Sequence, residues 1–264
     1  MCIRDRGICD EIVMIDKIEK KANAEAVDLS DTISYLPHYV KSKKGTFKDC
    51  EDADIVVVSL GVPPEDNKSR LDYLEDTINE VNTIIDPILE SGFNGIFIVI
   101  SNPVDVIAHY IWEKTGFPKN KVFGTGTTLD SSRLRRILSD EAGIDQKSIQ
   151  AYCMGEHGDS QMVPWSHVYF GGKPLFDLMK EKPETYGKLN LDELASRTAN
   201  AAYEIIAGKG CTEFGIGVGL SEIVKAILHD EKRILPASTL LEGQYGEENV
   251  FASVPVISVS YTHL

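Results

Sequence analysis

Short, continuously apolar runs alternate along the first half of the chain with longer stretches whose apolar residues recur every three or four positions. Glu11-Ile12-Val13-Met14-Ile15-Asp16 reads as a buried strand ending in an acid, and Lys17 to Leu29 follows with helical character. Thr46 to Asp52 leads into a second apolar run, Ala53 to Gly61, which stops in glycine and the prolines just beyond it. From Asp72 to Leu89, residues Leu74, Ile78, Val81, Ile85 and Leu89 fall at helical spacing with the charges mostly between them, so an amphipathic helix is predicted. Ile96 to Ile100 is a further strand, stopped by Ser101-Asn102-Pro103. A helix carrying Val106, Ile107, Tyr110 and Ile111 comes next, and Lys121-Val122-Phe123-Gly124 closes the series. Alternation of this kind predicts a parallel sheet covered on both faces. Such sheets bind ligands beyond the carboxyl ends of their strands. Asp16, Gly61, Asn102 and Gly124 each lie at or just beyond such an end.

The second half has a different texture. Leu129 to Ala142 and Leu191 to Ala207 read as helices, and Ile149-Gln150-Ala151-Tyr152 leads into a glycine-flanked histidine. Gly215 to Leu228 mixes glycine with apolar residues, as a segment packed closely on another does, and Val254-Pro255-Val256-Ile257 reads as a strand. The division falls near Gly124 to Gly126, giving a first domain over 7–124 and a second over 125–258. A dinucleotide fold usually opens with a strand and a G-x-G-x-x-G turn that brings backbone N–H groups to a pyrophosphate. Here the chain starts just upstream of what reads as the second strand. Residues 1–6 and 259–264 carry no pattern that continues into the fold, so both are expected to be non-native ends and both domains truncated.

Composition narrows the function classes. The 264 residues carry 27 basic and 41 acidic side chains, a formal charge of −14, which argues against a nucleic-acid partner. No apolar run is long enough to span a bilayer, and the start has no signal-peptide h-region. Cysteines stand at 2, 9, 50, 153 and 211, an odd count without metal-ligand spacing. A reducing compartment, the cytoplasm, is expected.

The chemistry concentrates in Gly155-Glu156-His157-Gly158-Asp159-Ser160. Flanking glycines free the imidazole from crowding, and its ordinary pKa near neutrality suits proton donation and return. Taken alone, His157 fits a structural role as well as a catalytic one. Asp130 and Arg133 are three residues apart on a predicted helix and so share a face. A carboxylate there can hold a histidine tautomer, and an arginine can clamp a substrate carboxylate with paired hydrogen bonds. An N-capping aspartate and a solvated arginine explain the same spacing. Arg70 lies in the hydrophilic stretch Glu65 to Arg70, suited to a mobile lid or to a plain surface loop. Metal binding at Glu156, His157 and Asp159 lacks a second histidine, and no metal is expected. Nucleophilic catalysis by Cys153 with His157 needs the two to face one another.

Six segments in order resemble the L-lactate/malate dehydrogenase superfamily, and more nearly its L-lactate dehydrogenase branch. They are Val13 to Asp16, Val58 to Gly61, Ser69 to Asp72, Ser101 to Asp105, Gly124 to Asp130 and Met154 to Ser160. The resemblance implies a Rossmann-type doubly wound α/β sheet, here without its first strand and glycine turn, followed by an α+β substrate domain. It implies NAD as cofactor, with Asp16 on the adenosine ribose, Gly61 and Val62 lining the groove, and Asn102 and Thr125 near the nicotinamide. His157 is then the acid/base, Asp130 its partner, Arg133 the carboxylate clamp, and Arg70 the lid residue that polarises the carbonyl. Thr212 touches substrate from the late helix, and the Asn102–Pro103 bond is cis.

The implied reaction reduces a 2-oxo acid, pyruvate first, to its L-2-hydroxy acid, in a homotetramer by family analogy. Pro64 aligns with the position that discriminates substrate side chains, commonly glutamine in lactate enzymes and arginine in malate enzymes. Malate is disfavoured, and larger aliphatic 2-oxo acids, as used by the related 2-hydroxyisocaproate dehydrogenases, are the alternative. Arg135 matches one fructose-1,6-bisphosphate position of regulated bacterial enzymes, but Gln150 stands where those carry histidine, which counts against that regulation. Truncation is expected to weaken NAD binding, so a fragment with only structural or binding capacity is a further alternative.

Overall fold

The computed structural model describes residues 1–61 and 74–258. Val62, Pro64 and Arg70, singled out from the sequence, lie outside the described residues. A short helix α1 (Cys2–Asp5) is followed by β1 (Glu11–Met14), α2 (Glu19–Asp31), β2 (Lys41–Lys44), β3 (Ile55–Val58), α3 (Leu74–Glu90), β4 (Ile96–Val99), α4 (Val104–Thr115) and β5 (Val122–Gly124). The second half contains α5 (Thr128–Ala142), β6 (Ile149–Gln150), β7 (Tyr169–Phe170), β8 (Lys173–Pro174), α6 (Leu175–Glu181), α7 (Leu191–Lys209), α8 (Phe214–Leu228), β9 (Ile234–Glu242) and β10 (Glu248–Ile257).

Strands β3, β4 and β5 pair in parallel, as the alternating pattern predicts. Strands β1 and β2 form a separate parallel pair. On the β5 edge the sheet continues into the antiparallel pair β9–β10, joined through Gly124 opposite Ser238. Strand β9 is not marked by the apolar pattern, because Pro236, Ser238 and Thr239 interrupt it. It persists because the partner strand matches it, with Pro236 opposite Pro255 and Ser238 opposite Ser253. A small antiparallel sheet of β6, β7 and β8 belongs to the second half.

The continuous apolar run in β4 follows from burial on both faces. Phe97 and Val99 point into a core with Val81 and Ile85 of α3 and Ile107 and Ile111 of α4. Ile96 and Ile98, one position out of phase, meet Ile223, Val224 and Ile227 of α8 on the opposite face. The glycine-containing α8 is therefore a sheet-covering helix contributed by the second half. Helix α1 also lies against α8, with the Arg4 side chain buried and donating to Thr32. A third core, built on Leu134, Ile137 and Leu138 of α5 with Ile149, Ala151, Val168 and Leu175, holds the second half together.

The parallel pairing of β3, β4 and β5 places the polar residues that follow them on one side. Asp16 follows β1, Gly61 follows β3, Asn102 follows β4 and Thr125 follows β5. Helix α5 starts three residues beyond Thr125, so its first turn opens on the same edge.

Candidate active site

Asp130 and Arg133 occupy the first turns of α5, and both side chains are almost wholly buried, at 4% and 9% exposure. Charges removed from water this far need partners. Arg133 Nη1 donates to Asp130 Oδ1 at 3.0 Å, while Asp130 Oδ2 lies 2.6 Å from His157 Nδ1. Each carboxylate oxygen therefore serves a different cationic or potentially cationic group. Burial raises the Asp130 carboxyl, but the hydrogen bond and charge of His157, joined by Arg133, outweigh it and hold the group below the usual carboxylate range. An ionised Asp130 accepts from Nδ1–H, which leaves His157 Nε2 as the nitrogen free for proton exchange. The His157 side chain keeps 17% exposure, enough for one ring edge to reach the cleft.

The loop carrying His157 is pinned from three sides. Gly155, at φ +87°, exchanges two backbone hydrogen bonds with Ser253 of β10, at 2.9 and 2.7 Å. Cys153 N–H donates to Ser131 Oγ of α5 at 2.9 Å, and Thr127 Oγ donates to the Cys153 carbonyl at 2.6 Å. The backbone N–H of His157 donates to Asp105 Oδ2 of α4 at 2.8 Å. Gly126 stands under this assembly at φ +49°, where a Cβ would come within 2.2 Å of Ser253 Oγ. A side chain there would displace the strand that supports the loop.

On the sheet edge, Ser101 Oγ accepts from Leu60 N–H at 2.6 Å and so ties the end of β3 to the end of β4. Thr125 N–H donates to the Val99 carbonyl at 2.9 Å, which continues the β5–β4 pairing past the strand. The Asn102–Pro103 bond is cis, as the resemblance implied. Asp16 Oδ1 accepts from Ile18 N–H at 2.8 Å, and Oδ2 lies 3.6 Å from Lys21 Nζ. Polar Asn102 and Thr125 at the adjacent ends of β4 and β5, with a carboxylate fixed at the end of β1 in the separate pair, suit a ligand bound beyond the carboxyl ends of the strands. An acceptor at Asp16, open space at Gly61 and polar side chains at Asn102 and Thr125 are compatible with such a ligand, without the glycine turn that would hold its pyrophosphate.

Thr212 lies in the link between α7 and α8 rather than on the late helix. Cys153 is buried and burial pushes its thiol up, which removes the thiolate that a nucleophilic role needs. Among the described residues, no group of three or more His, Cys, Asp or Glu side chains converges as a metal site. Arg135 turns inward, 3.4 Å from the Ala151 carbonyl, while Gln150 is exposed on β6. Sequence reasoning assigned no role to Asp105, Ser131 or Ser253. Asp105 alone left a signal, as an acid in the first turn of a helix whose neighbours Val104, Ile107 and Ala108 are buried.

Two family models match the chain. The lactate/malate dehydrogenase NAD binding domain matches residues 1–124, and the lactate/malate dehydrogenase alpha/beta C-terminal domain matches residues 127–260. L-lactate dehydrogenase 3 of Bacillus anthracis is 44% identical over 255 residues, which are 97% of this chain and 81% of that protein. L-lactate dehydrogenase of Lactococcus lactis subsp. cremoris is 43% identical over 253 residues, 96% of this chain and 80% of that one. Among solved structures, the minor L-lactate dehydrogenase from Enterococcus mundtii in its ligands-bound form superposes with a TM-score of 0.93 at 40% identity. That match covers 98% of this chain and 82% of the other.

Proposed function

The chain belongs to the lactate/malate dehydrogenase family, and from that premise we propose that it is an NAD-dependent L-lactate dehydrogenase interconverting pyruvate and L-lactate. The observation that carries this reading is the buried Asp130, bonded at once to His157 and Arg133. A proton carrier and a carboxylate-binding group set by one anion are what reduction of a 2-oxo acid requires. NAD, when bound, supplies the hydride chemistry at C2.

The remaining work falls to side chains. His157 donates its Nε2 proton to the substrate carbonyl oxygen, and in the reverse direction neutral His157 removes the hydroxyl proton. Asp130 stabilises the imidazolium and fixes its tautomer. Arg133 has five N–H donors and spends one direction on Asp130, leaving others to hold the substrate carboxylate. Arg70 meets the charge developing on the carbonyl oxygen. Asp16, Gly61, Val62, Asn102 and Thr125 hold the cofactor, and Thr212 borders the substrate.

Pro64 favours a second substrate reading. An apolar residue at the discriminating position leaves oxaloacetate without a counter-charge and admits larger aliphatic 2-oxo acids. The enzyme is proposed to act in the cytoplasm as a homotetramer, and Gln150, which offers no cation, counts against fructose-1,6-bisphosphate control. The five cysteines are unpaired, which supports a reducing compartment. None of the described helices is long and apolar enough to cross a membrane. Rates of NADH oxidation with pyruvate, oxaloacetate and 2-oxoisocaproate test the reading. Turnover of pyruvate or 2-oxoisocaproate well above oxaloacetate is expected, and turnover of none of them by the folded protein at saturating NADH overturns it.

A further inference from the structure

Asp105 is a buried acid without a task in the chemistry described so far. It stands two residues after the cis Pro103, in the first turn of α4, at 8% exposure. Its Oδ2 accepts the backbone N–H of His157 at 2.8 Å, across 52 residues of sequence. Beside that bond, the Ser238 hydroxyl is the neighbouring group that acts on the carboxyl. Burying a carboxyl with so few donors around it is unfavourable. A surface acid or an apolar residue would serve the α4 core at less cost, since Val104, Ile107 and Ala108 pack there already.

We propose that Asp105 is a positioning residue that joins the proton carrier to the cofactor edge. The same short segment, Asn102 to Asp105, carries the polar residue beyond β4 and the acceptor that holds the His157 main chain. Asp130 fixes the imidazole ring from α5. Asp105 fixes the backbone beneath that ring from α4, on the sheet side. Two anchors on different helices set where Nε2 stands relative to the carbon that receives hydride, which a single ring-to-carboxylate bond leaves free to swing. Misplacement of a reacting group by about 1 Å costs on the order of 100-fold in rate.

The proposal rests on the dehydrogenase reading, so one readout is independent of turnover. The full chain and its Asp105→Ala and Asp105→Asn variants are compared by hydrogen exchange of the 154–160 segment and by steady-state kinetics with pyruvate and NADH. Asp105→Asn keeps an oxygen acceptor and is the rescue variant. In Asp105→Ala, exchange at the His157 amide is expected to speed by about 10-fold or more, as a lost hydrogen bond allows. Its kcat is expected to fall by roughly 10- to 100-fold, with the KM for NADH within about twofold. Asp105→Asn is expected to restore most of both. Unchanged exchange in Asp105→Ala overturns the proposal whether or not the protein turns over pyruvate. Active protein in which all three forms share one kcat overturns it too, and so does a fall in Asp105→Ala that Asp105→Asn does not rescue. Absence of pyruvate-dependent oxidation in the unaltered chain counts instead against the dehydrogenase reading, and the exchange result still decides the anchor.

Discussion

His157 Nδ1 and Asp130 Oδ2 stand 2.6 Å apart, while the other oxygen of the same carboxylate accepts from Arg133 at 3.0 Å. The two residues come from different elements, one from a glycine-flanked loop and one from the first turn of α5, and they meet because β10 and α5 both grip the loop. Removing the charge of Asp130 should therefore leave the ring in place and spoil its protonation. Asp130→Asn is expected to lower kcat by about 100-fold or more, the scale of general acid–base catalysis. NADH affinity, read by fluorescence titration, should stay within about twofold, since Asp130 is not among the residues proposed to hold the cofactor.

Arg133→Lys keeps a positive charge and loses the planar fork. A charge-assisted hydrogen bond contributes about 1.5–3 kcal/mol, so kcat/KM for pyruvate should fall by roughly 10- to 150-fold. Steady-state kinetics at saturating NADH checks this. A value unchanged from the parent would mean that Arg133 serves Asp130 alone.

The two buried acids should leave opposite marks on stability against pH. Asp130 is held low in the folded state, so the unfolded chain binds more protons through that window. Its contribution is complete above an unfolded value of about 4 and fades as pH falls through the lower folded value. Burial pushes the Asp105 carboxyl up, against the opposing effects of the Ser238 hydroxyl and the His157 N–H. The folded chain then binds more protons, and stability declines as pH rises from about 4 through the raised value. Urea midpoints measured across this range should fall more gently on the acid side in Asp130→Asn than in the parent. In Asp105→Asn they should gain on the parent as pH rises.

Gly126→Ala should destabilise the protein by about 1–3 kcal/mol, the usual cost of overpacking, because the new methyl meets Ser253 Oγ at 2.2 Å and Ser238 N at 2.7 Å. Thermal or urea unfolding reads this directly. A neutral effect would show that β10 can shift without cost and that the histidine loop is not held by it.

The parallel layer was legible because burial on both faces writes continuous apolar runs, as Ile96 to Val99 shows. The shared face of Asp130 and Arg133 was legible from their spacing and the loop at His157 from its glycines, but that the three form one set rested on the resemblance. Strand β9 was not legible, since Pro236, Ser238 and Thr239 carry no alternation and the strand depends on matching residues in β10. The anchoring of the loop was not legible either. Asp105 and Ser253 act on His157 and Gly155 through backbone atoms, and a backbone hydrogen bond across 52 or 98 residues leaves no mark in local pattern.

The most direct measurement is pyruvate-dependent oxidation of NADH by the full chain and by His157→Asn, with NADH raised until the rate no longer increases. The account predicts turnover by the parent, loss of about 10²- to 10⁴-fold in the variant, and similar NADH binding by both. Equal rates in the two proteins, or no pyruvate-dependent oxidation by the folded parent, would contradict it.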